Sequence, residues 1–196
     1  MLRIFIVLIF IFNLSGCGYN DIQTYDEQVN SSWSEVLNQY QRRADLIPNL
    51  VASIKGYSEV LEAVTLARSQ AIRASSDLQQ APGDEQKLQT WQQAQAQLTR
   101  TLGQLTIISE RYPELKAQEL YQNLIVQLEG SENRIAVARG RYIKAIEQYN
   151  VTIRKFPAVL TAKIMDYTAK RNYLPDDVAA VSKAPTIDFS QNPNIH

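Results

Sequence analysis

Apolar residues recur along this chain at steps of three and four, the spacing of one face of an amphipathic helix. The first such stripe is Val29, Trp33, Val36, Tyr40, Ala44, Ile47, Val51, Ile54, Leu61 and Val64. It keeps its phase across Pro48, so the pattern predicts one long helix, about residues 21–75, kinked at that proline. Pro48 leaves the carbonyl of Ala44, four residues back, without its helical donor, and an arginine of this helix or of the third is a candidate to supply one. The stretch "SSDLQQAPGDEQ" reads as a linker, with Pro82-Gly83 as the break and Asp84 as an N-cap. A second stripe comes next at Leu88, Trp91, Leu98, Leu102, Leu105 and Ile108. Pro113 suits the first turn of a third helix, about residues 114–152, whose stripe is Leu120, Leu124, Leu128, Ile135, Ala138, Tyr142, Ile146, Tyr149 and Ile153. Pro157 marks the turn into a short fourth helix, about residues 158–168. Residues 171–196 show no sustained period and read as an irregular tail, with Ile187 and Phe189 as its apolar points.

Composition agrees with an all-α reading. Glycine and proline number 7 each in 196 residues, and hydrophobic residues make up 45%. Lys plus Arg and Asp plus Glu are both 20, a formal net charge of zero. Nucleic acid is therefore not an expected partner, since such binding needs a basic excess on one face. The chain holds a single cysteine, Cys17, and a single histidine, His196, at its last position. No histidine-based triad, no Cys/His metal site and no cofactor motif is expected.

The N-terminus is different in kind. Arg3 is followed by an apolar run from Ile4 to Phe12. That is the length of a signal-peptide core and well short of the roughly 20 residues of a spanning helix. Leu14-Ser15-Gly16-Cys17 then resembles the lipobox of bacterial lipoprotein precursors. On this reading residues 1–16 are a signal peptide, and Cys17 is the lipid-bearing mature N-terminus. Two or more acyl chains give stable anchoring. Gly18 follows the cysteine, which resembles default sorting to the outer membrane in a cell with two membranes.

Several longer stretches, "QRRADLIPNLVASIKGY" (41–57), "VTLAR" (64–68), "ERYPELKA" (110–117), "LEGSENRIAVAR" (128–139) and "YNVTIRKFP" (149–157), resemble the LemA family. The stripes give three long helices plus a short fourth, with a long kinked first helix, over residues 17–170, and the resemblance implies that they form an antiparallel helical bundle. It implies N-terminal anchoring in the cell membrane, facing outside the cytoplasm, no enzymatic activity, no cofactor, and a role as partner of another envelope protein, membrane proteases among them. The family carries an N-terminal spanning helix, where this chain shows the lipobox-like pattern.

The candidate chemistry lies beside the stripes. Arg42, Arg43, Asp45, Pro48 and Asn49 flank the first, and Glu132, Asn133, Arg134, Arg139 and Arg141 the third. Crossing helices would bring these groups together, either as a hydrogen-bonded layer that sets register or as an interaction site built on arginine forks. Two alternatives stand beside the scaffold reading. A carboxylate enzyme would use Asp45 with Glu110 or Glu132 as an acid–base pair, and a lipid or peptide carrier would need an apolar cavity. The tyrosines near the stripes read as core, and "QQAQAQ" (92–97) as a solvent face or a surface for another helix; homo-oligomerisation stays open. Cys17→Ser is expected to leave the protein without lipid and release it from the membrane fraction, as read by fractionation and by mass spectrometry of the N-terminus. Retention with an unprocessed N-terminus would mean that the anchor is a helix.

Overall fold

The computed structural model describes residues 2–54, 58–112, 114 and 118–172. Every regular element among them is an α-helix: α1 (Leu2–Ser53), α2 (Ser58–Gln80), α3 (Glu85–Arg111), α4 (Glu119–Thr152) and α5 (Ala158–Ile164). The all-α expectation holds. The count does not, because the expected first helix is two. α1 runs through Pro48 and ends at Ser53, and α2 lies back against α1, with Arg68 reaching Ala44. An uninterrupted helix would hold residues 24 apart about 36 Å away from each other. The stripe stays in phase across the reversal because both arms face one core, so periodicity cannot tell a straight helix from a hairpin that resumes in phase.

α2 also extends beyond its expected end. Ala67, Ala71, Ala74 and Leu78 continue its buried face, and small alanines make a weaker hydrophobic signal than the leucines elsewhere. The connection to α3 shrinks to residues 81–84. Asp84 caps α3 as expected, its Oδ1 accepting from the N–H groups of Gln86 and Lys87 at 2.9 and 3.1 Å. α5 is shorter than its sequence pattern suggests. Asp166 takes a left-handed φ of 56° and the Tyr167 N–H returns to the Ala162 carbonyl at 2.9 Å, the six-to-one bond of a Schellman stop. Pro113, Tyr57 and the tail from residue 173 lie outside the described residues, as does the side chain of Cys17, whose backbone belongs to α1.

α1 is the central element. It packs against α4, α2 and α5, and α3 lies on α2. Contacts between α1 and α4 pair in descending order, Arg43 with Glu132 and Trp33 with Tyr142. Two apolar clusters share the interior. One gathers Ile22 to Tyr40 of α1 with Leu78, Trp91, Tyr142, Ile146 and Tyr149. The other gathers Ile47, Leu50 and Ile54 with Val64, Leu98, Leu105, Tyr121 and Leu124. Leu50 and Tyr121 thus fill core places that the stripes assigned to Val51 and Leu120; Leu120 is exposed.

After α5 the chain is strapped to the start of the molecule. Lys170 pairs with Asp26 of α1 at 2.7 Å, its backbone exchanges two bonds with the Asn150 amide at 2.8 and 2.9 Å, and Tyr167 accepts from Gln23 at 2.7 Å. Tyr149 lies beneath this strap. Burial, and then the Asp26 carboxylate and Tyr167, push its phenol above the usual tyrosine range.

α5 meets α1 at Gly18, where an added Cβ would stand 2.6 Å from the Ala158 Cα. Gly103, inside α3, has nothing within 4 Å of such an atom. Gly18→Ala is therefore expected to destabilise by about 1–3 kcal/mol through overpacking, whereas Gly103→Ala should stabilise by about 0.5–1 kcal/mol through helix propensity. Thermal denaturation of the two variants reads the opposite signs.

Candidate functional site

Arg43 stands between the two apolar clusters. On α1 it occupies the core phase between Tyr40 and Ile47 and is 1% exposed. Long, fork-shaped and always charged, its guanidinium needs several acceptors at once. Nη1 donates to Glu132 Oε1 of α4 at 2.5 Å and to Thr99 Oγ1 of α3 at 2.7 Å. Nη2 donates to Gln95 Oε1 at 2.7 Å, and the guanidinium lies 5.1 Å from the centre of the Tyr40 ring. Its Nε is buried without an acceptor.

The network continues into α2. Gln95 Nε2 and Trp91 Nε1 donate to Ser75 Oγ at 3.4 and 3.1 Å, and Ser75 Oγ donates to the Ala71 carbonyl at 2.9 Å. One hydrogen-bonded layer therefore ties α1, α2, α3 and α4 at a single level. Ser131, fully buried beside it on α4, donates to its own helix at Leu128. Trp91 stacks edge-on against Tyr40 and Trp33, with centroids 4.9 and 5.5 Å apart, and closes the layer toward the first cluster.

Above this floor an open groove of about 420 Å³ lies between α3 and α4, lined by Tyr40, Arg43, Trp91, Gln95, Arg100, Glu132, Arg139 and neighbours. Its lining includes one carboxylate, Glu132, which is 44% exposed and paired with Arg43. Of the residues singled out in the sequence, Arg43 and Glu132 meet and Arg139 lines the same groove. Arg42, Asp45, Pro48, Asn49 and Asn133 are exposed and stand outside that lining. Asp45 accepts from Gln41 within its own helix at 2.9 Å, so no acid–base pair with Glu132 is assembled there. The Glu110 side chain lies outside the described residues.

Pattern reading missed Gln95, Thr99 and Ser75. Gln95 sits inside "QQAQAQ", whose composition suggests a solvent face or a surface for another helix, yet it is 5% exposed and bonded to Arg43. Its position continues the series 88, 91, 95, 98, 102, so a polar residue at core phase was the available signal. The carbonyl freed by Pro48 has its donor: Arg68 Nε of α2 reaches Ala44 O at 2.8 Å. Among the described residues no cluster of three His, Cys, Asp or Glu could hold a metal ion.

With this geometry in view, the family match carries weight. The family's profile covers residues 32–189. The chain belongs to the LemA family. It is also similar to the magnetosome proteins MamQ 2 and MamQ 1 of Paramagnetospirillum magneticum, each 36% identical over 56 residues. That segment is 29% of this chain and 21% of each relative, so the match spans about a fifth of the length of these curated relatives.

A double-mutant cycle tests the Pro48 pairing. Arg68→Ala should cost about 1–2 kcal/mol by stranding the Ala44 carbonyl. In the Pro48→Ala background, where residue 48 offers its own N–H, the same change should cost clearly less. Equal costs in both backgrounds, read by urea denaturation, would refute the compensation.

Proposed function

We propose that this LemA-family chain is a non-enzymatic scaffold or adaptor that binds another cell-envelope protein. In this reading the chain forms an antiparallel bundle on the extracytoplasmic side of the cell membrane, held there by lipid on Cys17. Where the cell has two membranes, the anchor lies in the outer one. The observation that carries the reading is the open α3–α4 groove above the Arg43 layer. Its floor is held by contacts from four helices, so it is presented without an ordering cost, and its aromatic and arginine lining is of the kind enriched at protein interfaces.

The other functional classes find less support in the same groove. Acid–base hydrolysis needs two carboxyls with separated roles, and the lining offers Glu132, already neutralised by Arg43. A carrier of apolar cargo needs an apolar cavity, while this groove is floored by Arg43 and Gln95. A membrane protease is one envelope partner that fits the family's expected role, and a second copy of the chain is another. Among the described residues no helix is long and apolar enough to cross a membrane.

The reading is tested by a photoreactive residue at Ala136, an exposed position in the groove lining, and at Gln41, exposed on α1 outside it. Irradiation of intact cells should give a discrete adduct from position 136 and none from position 41. The same pattern from both, or none from either, would exclude the groove as the partner surface.

A further inference from the structure

The face of α5 turned away from the bundle is apolar. Ala158 and Ala162 bury against the rest of the molecule. Leu160 and Ile164, one turn apart on α5, are 54 and 82% exposed, and Phe156 just before the helix and Met165 just after it are 71 and 52% exposed. Arg154, Lys155 and Lys163 stand exposed around these residues and outnumber the exposed carboxylate of Asp166 in the same segment. An apolar stripe rimmed by cations is the pattern of a helix lying in a membrane interface, the side chains among acyl chains and the cations on headgroup phosphates. It differs from the scattered single apolar residues that any surface carries.

Position favours the same occupant. The contact that seats α5 is Gly18 against Ala158, one residue from Cys17 and shortly after the apolar run Ile4–Phe12. Tyr19, next to it, is exposed, and tyrosine is a residue type enriched at membrane interfaces. The strap through Lys170–Asp26 and Asn150 ties the segment after α5 to this same end. Ser53, at the far end of α1, is 35 residues beyond Gly18, on the order of 50 Å away.

We propose that Leu160 and Ile164 of α5, with the flanking Phe156 and Met165 and the surrounding Arg154, Lys155 and Lys163, form a second membrane contact that lies in the interface of a bilayer containing anionic lipid and sets the tilt of the bundle on it. The proposal rests on the anchoring reading above.

The test uses the full chain carrying Ile164→Cys, or Ile107→Cys on α3 as an exposed control, labelled with an environment-sensitive fluorophore. Each is placed in vesicles of phosphatidylcholine and phosphatidylglycerol. The Ile164 label should lose severalfold more of its acrylamide quenching than the Ile107 label, and should be quenched by nitroxide-bearing lipid. Vesicle flotation is read in parallel. A protein that floats with its Ile164 label as open to acrylamide as the Ile107 label overturns the α5 contact and leaves the anchor standing. A protein that does not float overturns both. Shielding of Ile164 already present in lipid-free Cys17→Ser protein would mean that other residues of the chain cover the face, and would overturn the proposal. Shielding in cell membranes but not in protein-free vesicles would do the same, by assigning the face to a protein partner.

Discussion

A single buried cation, the Arg43 guanidinium, is the group whose needs the packing of α1, α3 and α4 has to meet. Apolar stripes attract without direction, and helices bearing residues at steps of three and four pack almost as well after a slide of two turns. Arg43 does not tolerate such a slide. It is enclosed, so it must find its acceptors, and Glu132, Thr99 and Gln95 meet it at one relative placement of α1, α3 and α4. Breaking a buried pair is costly because the remaining charge has no solvent. Here the exposure is asymmetric: Glu132 keeps access to water, and Arg43 does not. The layer thus acts chiefly through the placement it permits, with Ser75 and Trp91 extending it to α2.

A second polar compensation supports the same region. Pro48 removes an N–H from α1, and the orphaned Ala44 carbonyl draws Arg68 of the adjacent helix. An unsatisfied buried carbonyl costs free energy comparable to a lost hydrogen bond, so the proline converts an intrahelical bond into an interhelical one. The charged stretch 41–57 therefore joins α1 to α4 through Arg43 and to α2 through Ala44. At the opposite end, close contact does the equivalent work. Gly18 lets α5 approach α1 within backbone distance, and the Lys170–Asp26 pair and the Asn150 amide hold the segment after α5 in place.

Much of the fold was legible in the residues. The stripes located the helical segments, Asp84 marked the start of α3, and the polar groups beside the first and third stripes contained the central pair. Three features were hidden, each for a physical reason. The reversal between α1 and α2 keeps the stripe in phase. The alanine face of α2 is too weakly apolar to mark its extension. Gln95 sits within a run whose composition suggests a solvent face, although its phase points inward. Most of the candidate residues, among them Arg42, Asn49 and Asn133, stay in solvent, because neighbours in sequence on a helix point about 100° apart and only one of an adjacent arginine pair can face the core.

By itself the sequence determined an all-α chain, the family, and the approximate places of helix and break, since these arise from local periodicity and capping that each segment carries alone. Tertiary structure decided which arginine is buried, what satisfies it and which donor reaches the carbonyl that Pro48 leaves open. It also decided that the apolar stripe of α5 lies at the Cys17 end of the molecule. Those outcomes depend on residues far apart in the chain, and only the packing of one helix on another brings such groups within hydrogen-bonding distance.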